Sequence, residues 1–584
     1  MRISILLLLP LLVLLNSCAA LMGIHDFGEV PKKPGKYPAF REKDYLVGTL
    51  DEDRASYDVT YYDLNISIDP AKKLIGGDVS IYFRILTATD NMRIDLYRNL
   101  DIASIKLNGK ELAFTRKDRA VYISLGQMMV TGDIGILNVR YSGKPVVARN
   151  PPWIGGMVWK EDKGKRPWIG VTCQTEGGSI WFPCKDHISD EPDSVRTTIT
   201  VPTGLSVVSN GVLKGHVSNG ATDTFTWATS YPINIYNITF YAGTFTEFSD
   251  TVNTKHGTVK LNYTVLDYNL EKAKTHFLQT KKVIKIYSEL FGPYPWVNEG
   301  FRLVEAPYEG MEHQTAIAYG SGFQDYSFLG GDYIIVHEAA HEWWGNAVTV
   351  DDFSDIWLQE GFATYSEVLF VEKTLGYERS LRYAQYWLGS MINNKRPVVG
   401  PRDVSYWDHK DNDVYMKGAM ILHTIRNAVG DSTIFFNILQ TFYKEHAAGT
   451  HVTTDDFVEV VERMTGSEWD KFFEAYLYTR QIPVLKWFFG IYKPDPMKES
   501  LGRTSVPFVV AKWENVPDGF VMPVTINSYT AGKIRKESSR IYVTTKAQVF
   551  FMENLNEADQ VSCNAKSSYF RPELSKDILK ELEQ

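Results

Sequence analysis

Two histidines four residues apart, with a glutamate directly after the first, constrain this chain more than any other feature of its sequence. They are His337, Glu338 and His341. On a helix, residues i and i+4 lie one above the other on the same face, so both imidazoles can point at one metal ion while Glu338 leans towards the same opening. So short a pattern also arises by chance, and the alternative is an ordinary helix with two surface histidines.

A further glutamate, Glu360, stands nineteen positions after His341. Ser354 is placed to cap a second helix that would carry this carboxylate inward. A catalytic zinc takes three protein ligands and keeps a fourth position open. We therefore expect one zinc per chain, bound by His337, His341 and Glu360, with Glu338 free to act as the base on zinc-bound water.

The sequence around these residues resembles that of a known family. His-Glu-x-x-His, eighteen residues and then Glu, flanked by Trp-Trp-Gly-Asn and Trp-Leu-Gln-Glu-Gly-Phe-Ala, is similar to the aminopeptidase N family of zinc peptidases, which includes leukotriene hydrolase. The resemblance covers residues 57–480 well and the remainder only by pattern and position. It implies that Glu367 orients a ligand imidazole. Without the resemblance, Glu367 would be interpreted as a solvated glutamate on a helix.

Residues 309–313 resemble the family's edge strand, Gly-x-Met-Glu-Asn. The resemblance implies that Gly310, Met311 and Glu312 line the substrate cleft and that Glu312 binds the free α-amino group. Two residues depart from the pattern: Glu309 replaces the first glycine, and His313 replaces the asparagine. The departures leave open how the strand binds substrate backbone, and the added charge of Glu309 would favour a basic first residue.

Gln174 and Glu176 lie in a stretch that resembles the family's Gln-x-Glu element, followed by a Pro-Cys-x-Asp loop at a shorter spacing. The resemblance implies that Glu176 reaches the substrate's ammonium group with Gln174 beside it. The alternative is that Glu176 is an exposed loop glutamate.

Tyr415 begins the sequence Tyr-Met-Lys-Gly, which resembles the family's Tyr-x-Lys-Gly. In the family this tyrosine donates a hydrogen bond to the oxyanion of the tetrahedral intermediate. A phenol suits the task because it donates while remaining neutral at pH 7. By residue type alone Tyr415 would be a core aromatic, and the Lys-Gly that follows favours the functional interpretation.

Together these resemblances imply a zinc aminopeptidase that removes the N-terminal residue from peptides with a free N-terminus. One alternative is a different hydrolase, either a thermolysin-like endopeptidase or an epoxide hydrolase as in leukotriene hydrolase. Another is an inactive zinc-binding lipoprotein. The presence of Glu338 and Tyr415 argues against the last, since binding alone needs neither.

The start of the chain is typical of an export signal. Residues 3–15 form an apolar run interrupted by one proline, shorter than the ~20 residues that span a bilayer. The run ends at Leu-Asn-Ser-Cys, which resembles the bacterial lipobox, so we expect Cys18 to be acylated. The protein would then be lipid-anchored in the bacterial cell envelope, at the periplasmic or outer-membrane face. The alternative is secretion after cleavage behind Ala19 or Ala20.

Length and periodicity divide the chain into several domains, because 584 residues exceed the size of one hydrophobic core. Leu64, Ile66 and Ile68 alternate with polar residues, as in a β-strand, and similar short strands continue to about residue 245, including 235–241. The expected fold is multidomain α+β. The predicted segments are a signal peptide at 1–18, a tether that buries nothing at 19–55, an N-terminal β-sheet domain at 56–245, a thermolysin-like, mainly α-helical catalytic domain at 246–481, and a small C-terminal β-sandwich with a short terminal helix at 482–584.

Charge and cysteine content limit the partners. The net charge of -8 is spread without long runs, so no nucleic-acid partner is expected. The oligomeric state is not predicted. Cys173 and Cys184 can pair if their loop folds back, which would leave Cys563 over, and the sequence leaves the pairing open because it does not report a Cα separation.

Overall fold

The structure is a computed structural model that describes residues 35–174, 176–406, 411–447, 449–492, 506–529, 536–552, 560–563 and 568–582. The predicted signal peptide, Cys18 and the first part of the predicted tether lie outside these residues. No helix in the described ranges is long and apolar enough to cross a membrane.

The N-terminal domain is built from β-strands, as predicted. They are β1 (Tyr57–Asp69), β2 (Leu74–Ile85), β3 (Thr89–Asp95), β4 (Leu100–Leu107), β5 (Lys110–Glu111), β6 (Phe114–Lys117), β7 (Ala120–Met129), β8 (Ile134–Gly143), β9 (Gly156–Glu161), β10 (Pro167–Thr172), β11 (Ser194–Pro202), β12 (Ser206–Ser209), β13 (Val212–Ser218), β14 (Thr222–Thr229) and β15 (Phe240–Gly243). An eight-stranded sheet, in the order β13-β14-β11-β1-β2-β8-β4-β5, is joined by a four-stranded and a three-stranded sheet. Leu64, Ile66 and Ile68 point into the core, which confirms the predicted alternation.

The predicted catalytic domain combines helices with a five-stranded mixed sheet and a two-stranded sheet. Its strands are β16 (Phe245–Thr254), β17 (Gly257–Leu266), β18 (Phe301–Glu305), β19 (Gly310–Met311), β20 (Ile317–Tyr319), β21 (Thr349–Val350) and β22 (His451–Val452). Its α-helices are Leu270–His276, Gln279–Leu290, Tyr333–His341, Trp357–Leu375, Tyr377–Arg382, Gly389–Met391, Met416–Val429, Ser432–His446, Thr454–Thr465 and Asp470–Leu477, and Tyr383–Leu388 is a π-helix. The five-stranded sheet runs β16-β17-β18-β20-β19, so β19 lies at its edge.

The C-terminal domain consists of two small sheets. Its strands are β23 (Val484–Tyr492), β24 (Val506–Glu514), β25 (Met522–Tyr529), β26 (Lys536–Val543), β27 (Gln548–Phe551), β28 (Gln560–Cys563) and β29 (Arg571–Leu574). One sheet runs β27-β24-β23-β29 and the other β26-β25-β28. The predicted terminal helix is a 3-10 helix at Lys576–Leu582. Buried residues of this domain, such as Trp513, belong to the same core as the catalytic helices.

The last part of the predicted tether is packed against the protein, which corrects the prediction that it buries nothing. Residues 35–55 contain short helices at Glu42–Gly48 and Glu52–Ala55. Phe40 packs edge-on against Tyr406 with ring centroids 5.4 Å apart. Arg54 is fully buried and pairs with a buried aspartate of β3. A buried arginine needs such a partner, and the sequence does not identify it.

The predicted strand at 235–241 is wrong for its first half. Residues Ile235–Asn237 form a 3-10 turn, because the Asn234 side chain accepts a hydrogen bond from the backbone N–H of Tyr236. The strand begins only at Phe240.

The disulfide that the sequence left open is absent among the described residues. Cys173 and Cys184 are both buried free thiols. Burial raises the pKa of both buried thiols well above the ordinary value.

Candidate metal centre

Three buried donor groups from two helices face one another. His337 and His341 come from the helix Tyr333–His341, and Glu360 comes from Trp357–Leu375. The Nε2 atoms of the histidines are 3.2 Å apart, and they lie 3.7 Å and 3.3 Å from Oε2 of Glu360. Ligands at zinc distances and tetrahedral angles are separated by about 3.3–3.6 Å. The donor set therefore fits a zinc ion.

In each histidine, the hydrogen bond at one ring nitrogen determines that the other nitrogen faces the metal position. Nδ1 of His337 lies 2.6 Å from Oε1 of Glu367, and Nδ1 of His341 lies 2.8 Å from the Trp344 carbonyl oxygen. A carboxylate and a carbonyl only accept hydrogen bonds, so each Nδ1 donates and each Nε2 keeps a lone pair for a metal. The structure thus places Glu367 where the resemblance implied.

Tyr383 is part of this arrangement and is not among the residues predicted from the sequence. Its hydroxyl donates a hydrogen bond to Oε2 of Glu367. Tyr383 begins the π-helix, sixteen residues after Glu367. No local pattern in the sequence marks this tyrosine.

The second of the two helices starts differently from the prediction. Ser354 does not cap Trp357–Leu375, whose N-terminus has no side-chain cap. Asp352 instead caps the 3-10 turn Phe353–Asp355 just before the helix by accepting from the Ser354 N–H. The Ser354 hydroxyl donates to Asp355. A side-chain cap is therefore present at the turn before the helix and not at the helix itself, and it comes from Asp352, another residue type that favours the N-cap position.

Glu338 lies beside the three donors and is not one of them. An oxygen of Glu338 groups with donor atoms of Glu312 and His341 within 4.8 Å of one another. Burial raises the pKa of the Glu338 carboxyl to about 8, and the neighbouring histidines oppose the rise. A Cβ added to Gly310 would stand 2.6 Å from Glu338 Oε1, so this carboxylate packs closely against the edge strand.

Gln174 of the N-terminal domain connects the edge strand to the metal centre. Its Nε2 donates to Glu312 Oε1 at 2.7 Å and to Glu360 Oε1 at 3.1 Å. Burial raises the pKa of the Glu312 carboxyl. Asn346 donates to the Glu312 carbonyl at 2.8 Å, and Met311 is buried against the N-terminal domain. The buried carboxylate of Glu312 is therefore held at one end of the site.

Glu176 is placed differently from Gln174. Its Oε2 accepts a hydrogen bond from the Gly155 N–H at 3.0 Å, and its carbonyl accepts one from Arg119 at 2.7 Å. Glu176 is not among the described residues that line the cleft, whereas Gln174 is. The structure thus brings Gln174, and not Glu176, to the buried glutamates.

Tyr415 faces the centre from the start of the helix Met416–Val429. Its ring centroid lies 6.1 Å from that of His337. Burial raises the pKa of Tyr415 well above 10, so the phenol stays neutral and can donate. The helices that carry Tyr415 and Glu360 approach at two glycines: a Cβ on Gly418 would stand 3.0 Å from Cα of Gly361.

The two departures from the family's edge strand have different positions. His313 is fully buried and points to the hydroxyl of Tyr241, 2.6 Å from its Nδ1. Burial lowers the pKa of His313 to about 3, so it is a neutral core residue. Glu309 is exposed and lines the cleft.

Family models and known proteins agree with this arrangement. The Peptidase M1 N-terminal domain matches residues 59–236, and the Peptidase family M1 domain matches residues 277–476. The chain is 24% identical to a probable aminopeptidase 2 of Sulfurisphaera tokodaii over 69% of this chain and 52% of that protein. It is also 24% identical to the leukotriene A-4 hydrolase of Xenopus laevis over 72% of this chain and 68% of that protein. The match thus spans about half the length of the archaeal relative.

Solved structures share the fold. An M1 zinc metallopeptidase from Deinococcus radiodurans superposes with a TM-score of 0.63 at 23% identity, covering 73% of this chain and 94% of that one. A mutant of that enzyme bound to a Tyr-Ser-Ala substrate gives a TM-score of 0.64 at 23% identity, covering 73% of this chain and 95% of that one. The predicted fold class and the predicted family are both confirmed. This chain belongs to the peptidase M1 family.

Proposed function

We propose that this protein is a zinc-dependent aminopeptidase that removes the first residue from peptides. The observation that carries the proposal is the buried Glu312 carboxylate, which lies next to Glu338 and His341. A buried carboxylate without a cation is unfavourable, and a substrate's α-ammonium group would supply one. Because this group would be held directly beside the metal ligands, the scissile bond would be the first peptide bond.

The residues of the chain divide the chemistry among them. His337, His341 and Glu360 would hold zinc, which as a Lewis acid polarises a carbonyl and lowers the pKa of water. Glu338 takes the proton of the attacking water and returns it to the leaving amine. The Tyr415 hydroxyl donates to the oxyanion that develops on the carbonyl oxygen.

Matched free and N-acetylated peptides test this proposal. An acetylated peptide carries no ammonium group and leaves Glu312 unmatched, so it should be cut at least ~100-fold less efficiently, on the order of 2.7 kcal/mol at the transition state. Glu312→Ala should impair cleavage of the free peptide much more than cleavage of the acetylated one. Equal rates on both peptides would contradict an aminopeptidase and favour an endopeptidase.

Aminoacyl-naphthylamide hydrolysis with and without a chelator separates an enzyme from an inactive zinc-binding protein. Glu338 and Tyr415 both line the cleft, which supports catalysis, because holding zinc needs neither residue. We expect hydrolysis that stops on chelation and returns with zinc. Hydrolysis that a chelator leaves unchanged would contradict the metal-dependent mechanism.

We further propose that the protein is anchored to the bacterial cell envelope through an acylated Cys18. The proposal rests on the apolar run at 3–15 and the lipobox-like sequence that ends it. Cys18→Ala should release the protein from membranes or block its processing. Mass spectrometry that finds an unmodified N-terminus at Ala19 or beyond would contradict the anchor.

A further inference from the structure

One carboxylate in the cleft has no task in the proposed reaction. The cleft is lined by four glutamates, Glu309, Glu312, Glu338 and Glu360, and no lysine or arginine is among its described lining residues. Three of these glutamates are buried and belong to the metal centre or the ammonium site. Glu309 is exposed, and its side chain makes no hydrogen bond or ion pair with any described residue.

The order of residues along the edge strand locates Glu309 relative to the scissile bond. Glu312 marks the end where the substrate's ammonium group binds. Gly310 packs against the carboxylate of Glu338, the base that acts at the scissile bond. Glu309 lies just before β19, next to Gly310 and away from Glu312 along the chain, with its Cα about 3.8 Å from that of Gly310. A substrate with its ammonium group at Glu312 and its scissile bond at Glu338 would therefore continue past Glu309 with its second residue.

An aromatic ring lines the same cleft as Glu309. Tyr333 lines the cleft and is half-buried, and its ring stacks on His337 with centroids 5.5 Å apart. The charge of Glu309 is among those close enough to act on the Tyr333 hydroxyl. A carboxylate and an aromatic ring that line the same cleft suit a lysine or arginine side chain, whose aliphatic part can pack on the ring while its charge meets the carboxylate.

We infer that Glu309 is a specificity-determining residue that selects peptides with lysine or arginine at the second position. The inference rests on the proposed aminopeptidase function. It also replaces the expectation from the sequence that Glu309 reads the first residue, because Gly310, which packs against Glu338, stands between Glu309 and Glu312 along the chain. An exposed ion pair is weak, so the expected preference is about three- to five-fold and should shrink as salt is added.

Three tripeptides that differ only at the second position test the inference. They are Leu-Lys-Gly, Leu-norleucine-Gly and Leu-Glu-Gly, so that norleucine keeps the length of lysine without its charge. Wild type should favour the lysine peptide over the norleucine peptide by about three- to five-fold in kcat/KM and should disfavour the glutamate peptide. Glu309→Gln should bring the three values together, and Glu309→Lys should reverse the order. The kcat/KM values of the three peptides are compared as ratios within one enzyme preparation, so differences in zinc loading between variants cancel.

Two controls make the result specific. Glu271→Gln removes a glutamate whose side chain is 83% exposed and does not line the cleft, and it should keep the wild-type ratios. The pair Lys-Leu-Gly and norleucine-Leu-Gly varies the first position, and their ratio should not respond to Glu309→Gln. The inference would be overturned if Glu309→Gln changed this ratio and left the ratio of Leu-Lys-Gly to Leu-norleucine-Gly unchanged.

Calorimetric binding of the same tripeptides to zinc-loaded Glu338→Gln separates this inference from the proposed function. If wild type cuts none of the peptides, the aminopeptidase proposal fails, and the binding ratios still decide the role of Glu309. Tighter binding of the lysine peptide that Glu309→Gln abolishes would support the inference. Equal affinities for the lysine and norleucine peptides, or equal kcat/KM values, would overturn it.

Discussion

At the scale of single residues, the site separates the groups that would hold the metal from the group that would move a proton. His337 and His341 each keep one ring nitrogen for the metal because the other is engaged by Glu367 or by the Trp344 carbonyl. Glu338 lies between them in the sequence but its carboxylate packs against the edge strand. The two roles can therefore be removed independently.

We expect Glu338→Gln to bind one zinc per chain with a normal fold and to lose turnover, because an amide cannot accept the proton of water. His337→Ala should instead lose the metal, since two protein ligands remain. Zinc content by atomic absorption, circular dichroism and naphthylamide hydrolysis check both variants. Activity of Glu338→Gln within about ten-fold of wild type would show that the base is another group.

Tyr383 is expected to act on the metal through Glu367. Tyr383→Phe removes only the hydroxyl that donates to Glu367. Removal of such an outer hydrogen bond typically lowers metal affinity by 10–100-fold, roughly, because the ligand imidazole is less firmly oriented. Competition titration of zinc against a chromophoric chelator measures the change. If the Tyr383 hydroxyl served only to stabilise the fold, Tyr383→Phe would lower the melting temperature of the zinc-free protein and would bind zinc as tightly as wild type.

At the scale of helices and strands, glycines allow the close contacts on which the site depends. Gly361 directly follows Glu360, and Gly418 lies three residues after Tyr415. The two glycines let their helices approach until a Cβ on either would stand 3.0 Å from the other's Cα. The helix that holds a metal ligand and the helix that presents the phenol are thereby set against each other.

Gly418→Val is therefore expected to destabilise the fold by about 1–3 kcal/mol, because the added methyl groups press on the backbone of the facing helix. The shift of Tyr415 away from Glu360 should lower kcat while zinc content stays at one per chain. Thermal unfolding and zinc analysis measure both effects. Gly215→Val is the control, since nothing lies within 4 Å of a Cβ there. Equal melting temperatures for Gly418→Val and wild type would contradict the tight contact.

The sequence predicts those parts of the site that lie within continuous motifs. His337, His341, Glu360 and Glu367 fall on helix faces whose period can be counted, so their convergence follows from spacing and resemblance. Gln174 was also identified, although its contacts with the glutamates required the packing of two domains.

The sequence does not predict contacts that depend on the path of the backbone or on packing between distant segments. The Trp344 carbonyl has no side-chain signature, and Tyr383 sits in a π-helix that no short pattern predicts. The burial of Arg54 against Asp95 depends on how residues 35–55 fold back on the N-terminal domain. The Trp344 contact depends on the path of the backbone just after the helix, and the Arg54 contact on segments remote in sequence coming together.

At the scale of the whole molecule, the N-terminal and catalytic domains meet through buried polar groups. Gln174 reaches the glutamates of the catalytic domain, and Asn237 donates to Asn346 at 2.7 Å. Asn346 in turn holds the backbone of Glu312. The proposed ammonium site is therefore shared between domains, so the catalytic domain alone would lack part of it.

Glu191 adds a titratable group to this junction. Burial raises the pKa of Glu191 to about 8, and nearby polar groups of Thr349 and Asn234 oppose the rise. One of its carboxylate oxygens is buried with no hydrogen-bond partner among the described residues. A proton on this carboxyl avoids a buried, uncompensated charge.

The stability of the protein should therefore depend on pH through Glu191. Below about pH 4.5 the Glu191 carboxyl is protonated in both the folded protein and the unfolded chain. Between about pH 4.5 and pH 8 the unfolded chain loses this proton while the folded protein keeps it. The stabilisation thus falls as pH rises and is lost above about pH 8. Glu191→Gln cannot titrate, so its stability relative to wild type should rise by at least about 2 kcal/mol between pH 5 and pH 8. Urea unfolding of zinc-loaded protein across this range measures the difference, with the exposed Glu378→Gln as control. Parallel pH profiles for wild type and Glu191→Gln would show that Glu191 is already charged in the folded protein at pH 5.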